Sequence, residues 1–248
     1  MSNHVFSVPP TAKLAEVRDK LLSLRISSVA VLDLESSELL GIVTRTDLFR
    51  AGTVRGTIGL AQIELPDSTV DSIMTREPIL VDAGEPISKA ARIMVERHIH
   101  RVLVTEGGGI AGVLSARDVT RVVAASGDTT PLREIMSQPI LAVRVNQTLS
   151  DAIDTLEGWK VQGLVVLDKG WPCGVLTQEE IIAARDLDSD TPVEQVLNPA
   201  MLVLPVDMPV HRAAANAGSV DVRMIVAARG FQAAGVVTGL DFCRLASG

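Results

Sequence analysis

The side chains that could do chemistry recur as a hydroxyl followed three residues later by a carboxylate. The four pairs are Thr44 with Asp47, Ser115 with Asp118, Thr177 with Glu180, and Thr238 with Asp241. A hydroxyl residue at the start of a helix leaves backbone N–H groups directed at an anion, and the carboxylate one turn later can accept hydrogen bonds from a vicinal diol. The same spacing is that of a helix capping box, which persists for helix stability alone.

Each pair ends a seven-residue motif of the form Gly-apolar-apolar-Thr/Ser-x-x-Asp/Glu, here called the Gly-led motif. The motifs begin at Gly41, Gly112, Gly174 and Gly235, spaced 71, 62 and 61 residues apart. Self-similarity at a nearly constant period indicates a repeated supersecondary unit. The chain therefore contains four copies of one unit, numbered one to four in chain order.

The pattern within each copy predicts the elements that position the motif. Residues 87–98 carry Ile87, Ala90, Ala91 and Met94 at helical spacing. A β-branched strand follows, as in residues 100–106, and then the Gly-led strand and a second helix. Another short strand comes first, as in residues 78–82, so the unit is strand, helix, strand, strand, helix. Residues 51–68, between copies one and two, are predicted to form a structured linker or a surface loop.

Copies two, three and four are also preceded by a short segment, here called the leader, which copy one lacks. The leaders cover residues 72–78, 134–139 and 195–199, and their polar positions are Thr75, Ser137 and Asn198. Their sequences suggest short helical turns. Met74 and Met136 within them are expected to fill the core, since methionine adapts to irregular gaps.

This unit resembles the CBS (cystathionine β-synthase) domain in its element order, its Gly-led motif and its Met-Thr-x-x-Pro leader. The resemblance covers nearly the whole chain and implies a mixed α/β (α+β) fold. CBS units work in pairs, so four copies imply two pairs in a pseudo-symmetric disc, as in the gamma subunit of AMP-activated protein kinase. The implied first pair is 1–125, with repeats at about 1–52 and 68–125. The implied second pair is 131–248, with repeats at about 131–187 and 192–248.

The resemblance also implies a ligand, because the clefts of CBS pairs bind adenine nucleotides or related adenosyl compounds. The motif hydroxyl would reach phosphates, and the motif carboxylate would hold the ribose diol; Glu180 departs from the usual Asp, which makes copy three the expected empty site. Basic residues before the motif would hold phosphate, and copy two supplies them best. The full set of implied ligand-binding residues is Thr44, Asp47, Thr75, His100, Arg101, Ser115, Asp118, Thr177, Arg223, Thr238 and Asp241.

Composition limits the partners and the compartment. The net charge of −7 and the six aromatic residues argue against nucleic acid as a partner. Cys173 and Cys243 have no CxxC spacing and are expected to be small buried hydrophobes. The N-terminus lacks a basic region followed by an apolar run, and no stretch is long enough to span a bilayer. A cytoplasmic protein without membrane contact is expected.

Two functions follow from these observations. The first is a non-enzymatic regulatory protein that binds AMP, ADP or ATP as a regulatory ligand, with no obligatory cofactor and an unidentified protein target; a homodimer is also allowed. S-adenosylmethionine, NAD or a cyclic dinucleotide are alternative ligands. The second is a scaffold or interaction module with degenerate clefts. An enzyme is disfavoured, since no nucleophile elbow, Walker loop or HExxH motif is present and the repeats fill the chain.

A histidine pair and two tryptophans are not expected to form a metal site or to stack on a ligand. His98 and His100, two apart on a predicted strand, could face the same way and bind a metal, but no further ligand completes a set. No metal site is expected. Trp159 and Trp171 flank a strand in copy three, and packing in the core or at an interface is expected for both.

Overall fold

Every copy folds as the predicted unit in the computed structural model of the chain. The structure describes residues 5–24, 26–57, 60–159, 161, 163–184, 187–220, 222, 224–230 and 232–248, except for the side chains of 53–64.

The first two copies share the same order of elements. Copy one contains β1 (Ser7–Val8), α1 (Leu14–Ser23), β2 (Ser28–Leu32), β3 (Leu39–Thr44) and α2 (Arg45–Ala51). A hairpin follows, made of β4 (Thr53–Thr57) and β5 (Leu60–Glu64). Copy two contains β6 (Leu80–Asp82), α3 (Ile87–Glu96), β7 (Arg101–Glu106), β8 (Gly109–Ser115) and α4 (Ala116–Ser126). The segment between the copies is thus a structured linker.

The last two copies repeat this order. Copy three contains β9 (Ala142–Arg144), α5 (Leu149–Trp159), β10 (Gly163–Asp168), β11 (Trp171–Thr177) and α6 (Gln178–Ala183). Copy four contains β12 (Leu202–Pro205), α7 (Val210–Ser219), β13 (Met224–Arg229), β14 (Gln232–Thr238) and α8 (Gly239–Ala246). Within the described ranges, no helix has the length and apolarity needed to cross a membrane.

Each copy forms a three-stranded sheet whose middle strand is parallel to the first strand and antiparallel to the third. All four antiparallel ladders shift register at the equivalent place, for example between Val31 and Leu32 and between Val104 and Thr105. The middle strand has both faces covered, and Val29, Ala30 and Val31 are accordingly all buried. This explains the runs of β-branched residues, which suit strands buried on both faces.

Some copies contact each other through their sheets and others through their helices. The sheets of copies three and four pack face to face through a cluster that includes Val165, Val175 and Val226. Helices make the other contacts: α4 of copy two packs against α7 and α8 of copy four, and α2 of copy one packs against α6 of copy three. Phe49 of α2 belongs to the core of copy three. The result is the expected arrangement of two pairs.

The two helix interfaces have different chemistry. Between α4 and α8, Ala116 lies so close to Gly239 that a Cβ on the glycine would be 2.9 Å from the alanine Cβ. Between α2 and α6, the largely buried Arg45 forms an ion pair with Glu179, and Thr46 Oγ1 donates a hydrogen bond to the side chain of Gln178 at 2.9 Å. One interface is therefore close-packed and the other polar.

Candidate functional site

Each Gly-led motif runs from the third strand of its copy into the second helix, and its hydroxyl residue is the N-cap. A capping box is present in all four copies. In copy two, one carboxylate oxygen of Asp118 accepts hydrogen bonds from the Ser115 backbone N–H at 2.9 Å and from its hydroxyl at 2.6 Å. The helix-capping interpretation of the motif is therefore correct for every copy. Any ligand must share groups that already cap helices.

Copy two places a cation beside the motif hydroxyl. Arg101, the first residue of β7, is directly opposite Ser115 in the antiparallel ladder. Residues opposite each other in such a ladder project from the same face of the sheet. The equivalent residues in the other copies are Ser28, Gly163 and Met224. Among these four ladder positions, a positive charge faces the motif hydroxyl in copy two alone.

Asp118 is held ionised at this place. Burial by itself would raise the pKa of Asp118, but hydrogen bonds, including those donated by Ser115, outweigh it and lower the pKa below the ordinary value. The other carboxylate oxygen accepts from Arg121 Nη1 at 2.9 Å. The Arg121 side chain is 65% exposed, and such surface ion pairs contribute little free energy. Little energy is therefore needed to move Arg121 away.

In copy one, Asp47 lies beside an open cavity. Its Oδ2 accepts hydrogen bonds from the Thr44 backbone N–H at 2.8 Å and from Thr44 Oγ1 at 2.7 Å. A cavity of about 250 Å³ is lined by Asp47, Arg50, Ala51 and Ile73. Since Ile73 belongs to the leader of copy two, this cavity lies where that leader meets the motif helix of copy one. Thr75, two residues further, exchanges backbone hydrogen bonds with Ile42 of the copy-one motif.

The leaders explain why each of these motifs begins with glycine. A leader crosses the Gly-led strand of another copy, and its carbonyl lies against the glycine Cα. A Cβ on Gly41 would be 2.7 Å from the Thr75 carbonyl oxygen, and one on Gly174 would be 2.7 Å from that of Asn198. The corresponding distance for Gly235 and Ser137 is 3.0 Å. Each leader begins at the last residue of a short 3-10 helix and then crosses through an isolated antiparallel bridge, so it is helical only at its start.

In copy three, the leader of copy four engages the motif carboxylate. Thr177 and Glu180 form their capping box, with the Thr177 backbone N–H donating to Glu180 Oε2 at 2.9 Å. The other oxygen, Oε1, accepts a hydrogen bond from Asn198 Nδ2 at 3.1 Å. The longer glutamate therefore caps its helix and binds the leader as well.

Copy four shows the reciprocal contact. Asp241 Oδ2 accepts from the Thr238 backbone N–H at 2.7 Å and from Thr238 Oγ1 at 2.9 Å. Asp241 Oδ1 accepts from Ser137 Oγ, in the leader of copy three, at 2.8 Å and from Arg244 at 3.1 Å. The Asp241 side chain is only 3% exposed. Arg223, the expected cation of this copy, lies outside the described residues.

Some expectations need correction. His98 is not on a strand: it has a φ of 51° in the turn after α3, so it does not share a strand face with His100. His100 comes just before β7, and its carbonyl accepts the Ala116 N–H at 2.8 Å, at the start of α4. Neither Trp159 nor Trp171 is in the core, because they are 63% and 52% exposed.

The sulfur-containing residues follow the expectation more closely. Met74 is buried in the core of copy one, and Met136 packs beside the core of copy four. Cys243 is fully buried, and burial raises the pKa of its thiol to about 12. Cys173 is only partly buried.

Comparison with known proteins identifies the family. The CBS domain model matches residues 1–53, 70–125 and 132–186, which is more than half of the chain. The chain belongs to the CBS domain family. The fourth copy, outside these matches, has the same elements in the same order.

Relatives support the fold and leave the activity open. An uncharacterized 33.4 kDa protein in the ribosomal RNA operon of Thermofilum pendens is 26% identical over 182 residues, covering 68% of this chain and 57% of that protein. A homoserine O-acetyltransferase of Methanocorpusculum labreanum is 29% identical over 119 residues, but the match covers only 24% of the enzyme. That match shows a shared region and not a shared reaction. The chain thus spans just over half the length of the first relative and about a quarter of the length of the second.

A solved structure matches the whole architecture. Protein MJ1225 of Methanocaldococcus jannaschii, described as a candidate archaeal homolog of g-AMPK, superposes with a TM-score of 0.83 at 13% identity. The superposition covers 99% of this chain and 97% of that one. All four copies and their arrangement are therefore shared.

Proposed function

We propose that this chain is a non-enzymatic regulatory protein that binds an adenine nucleotide in the cleft of copy two. The observation that carries the proposal is the register of β7 and β8, which puts Arg101 opposite Ser115. The Ser115 hydroxyl in turn donates to the ionised Asp118. A cation and a hydroxyl on one sheet face suit phosphate, and a carboxylate suits a ribose diol. The N-terminus of α4, the first helix turn after Ser115, adds backbone N–H groups.

The architecture supports a regulatory role. Family membership and the fold shared with a protein described as a candidate homolog of g-AMPK agree with two CBS pairs, for which we retain the boundaries 1–125 and 131–248. A ligand bound between copies that contact the rest of the disc through helices can shift how those copies pack. We expect a protein target to respond to that shift, in the cytoplasm, with AMP, ADP and ATP as the first candidates.

Titration calorimetry with AMP, ADP and ATP tests the proposal. We expect binding, and we expect Asp118→Ala and Arg101→Met each to weaken it at least about tenfold, since charge-assisted hydrogen bonds are lost. Arg101→Met introduces the residue that copy four has at the same ladder position, Met224. Arg229→Met, at the exposed end of β13, is the matched control and should bind normally.

Three results would count against the proposal in different ways. Binding that both variants leave unchanged would remove the site from copy two. Binding of S-adenosylmethionine, NAD or a cyclic dinucleotide in place of the three nucleotides would change the ligand. Absence of binding by every adenosyl compound would favour a scaffold.

The scaffold remains a second candidate because of a specific observation. All four motif carboxylates cap helices, and in the second pair leader side chains also bind them. Copies three and four therefore have a structural reason to keep the motif without any ligand.

A further inference from the structure

The side chain at one leader position differs among the copies, and its proposed role in ligand binding rests on the proposed function. Thr75, Ser137 and Asn198 each lie at the polar position of a leader that crosses a Gly-led strand. Their backbones make the same paired hydrogen bonds, to Ile42, Val236 and Val175 respectively. The three crossings thus share a backbone geometry, and their side chains differ.

In the second pair, this side chain donates a hydrogen bond to the carboxylate oxygen that the capping box does not use. Asn198 Nδ2 donates to Glu180 Oε1 at 3.1 Å, while Glu180 Oε2 serves the cap. Ser137 Oγ donates to Asp241 Oδ1 at 2.8 Å, while Asp241 Oδ2 serves the cap. A ribose diol donates to both oxygens of a carboxylate or to one of them twice, so in both copies it would compete with a bond already made inside the protein.

In the first pair, the leader leaves the carboxylate of copy one accessible. The side-chain hydrogen bonds that Asp47 accepts within the described ranges come from Thr44 and use Oδ2. The cavity lined by Asp47 and Ile73 lies at this crossing. Thr75 contributes backbone hydrogen bonds there.

We propose that the leader side chain selects which motif carboxylates can bind a ligand diol. Asn198 and Ser137 close those of copies three and four, and Thr75 leaves that of copy one open. The leader position is thus a specificity-determining position, and it directs the ligand to the first pair.

Adenosine is the probe that isolates this effect. It has the diol and no phosphate, so differences between the copies in phosphate-binding cations do not affect its binding. The number of adenosine molecules bound per chain is measured by equilibrium dialysis for the full chain and for its Ser137→Ala and Asn198→Ala variants, with 2′-deoxyadenosine in parallel. Each variant should bind more adenosine than the wild-type chain, without a matching gain for 2′-deoxyadenosine. Ser219→Ala, which removes an exposed hydroxyl at the end of α7, is the matched control.

The converse substitution tests the open cleft. Thr75→Asn gives the first pair the amide that Asn198 supplies in the second, and it should weaken adenosine binding at copy one at least about tenfold more than Thr75→Val does. Thermal denaturation of each variant verifies that it is folded.

The outcomes separate this inference from the proposed function. Folded Ser137→Ala and Asn198→Ala variants that bind no more adenosine than wild type would overturn the inference. Where the wild-type chain binds adenosine, equal effects of Thr75→Asn and Thr75→Val would overturn it as well. A gain in the two alanine variants supports it whether or not the wild-type chain binds. The wild-type chain's own binding of adenine nucleotides decides the proposed function.

Discussion

The first and second pairs use the same backbone crossing but differ in what their leaders do to the motif carboxylate. In the second pair, Ser137 and Asn198 bind Asp241 and Glu180. In the first, Thr75 meets Ile42 through its backbone, and Asp47 lies beside a cavity. A repeated fold thus preserves its scaffold while single side chains decide whether a polar group is satisfied internally or left for a ligand.

The motif carboxylates of copies two and four also differ in the strength of their further hydrogen bonds. A hydrogen bond to a charged group contributes roughly 1.5–3 kcal/mol, whereas an exposed ion pair contributes about 0–1 kcal/mol. Asp241 is almost fully buried and accepts a hydrogen bond from Ser137. Asp118 forms an ion pair with the exposed Arg121. The Arg121 ion pair is therefore weaker than the Ser137 hydrogen bond.

The largest effect is expected from the shared backbone crossing. Gly174→Ala should lower the free energy of unfolding by about 3 kcal/mol, because its Cβ would lie 2.7 Å from the Asn198 carbonyl oxygen. Gly41→Ala, with the same distance to Thr75, should cost a similar amount. Urea denaturation measures both.

Gly158→Ala in α5 is the control for this pair of variants. A Cβ there meets no atom within 4 Å, so it should be neutral or stabilise the helix by up to about 1 kcal/mol. If Gly174→Ala cost no more than Gly158→Ala, the crossing would not be the reason for glycine in the motif.

A smaller effect should distinguish the two pairs. Asp241→Ala should cost about 2 kcal/mol or more, because it removes a helix cap and leaves the hydroxyl of Ser137 without its acceptor. Asp47→Ala should cost about 1 kcal/mol, the value of the cap alone. Guanidinium denaturation of both variants gives the difference, and equal losses would contradict the comparison.

The smallest effect is a dependence on pH at copy two. Because folding lowers the pKa of Asp118, this group stabilises the fold above its unfolded pKa of 3.8, and the contribution is lost as the pH falls through the folded value. The wild-type chain should therefore lose more stability than Asp118→Asn between pH 5 and about pH 3. Parallel acid limbs in the thermal denaturation midpoints of the two proteins would show that Asp118 contributes nothing.

Much of the fold was predictable because the determinants are local. The helix predicted from Ile87, Ala90, Ala91 and Met94 is α3, and the last three of these residues are buried in the core of copy two. A capping box was one of two interpretations of the motif pairs, and it could be recognised because a residue and its neighbour three positions on meet at a helix start. Arg101 was expected on the strand before the motif, and the ladder puts it opposite Ser115.

The contacts that distinguish the copies were not predictable in this way. Ser137 and Asp241 are 104 residues apart in the chain, and no sequence pattern indicates that one hydrogen-bonds to the other. The sequence also left open whether Trp159 and Trp171 pack in the core or at an interface, since an aromatic residue beside a strand fits a core and a surface equally well. Their exposure excludes the core.

The sequence by itself determined four copies, the order of their elements and the chemistry at the start of each motif helix, since these depend on periodicity and on neighbours along the chain. The tertiary structure decided which leader crosses which motif, why Gly41, Gly174 and Gly235 must be glycine, and which carboxylates are already bound. Those properties depend on distances between segments far apart in the chain, which only the packing of the copies fixes.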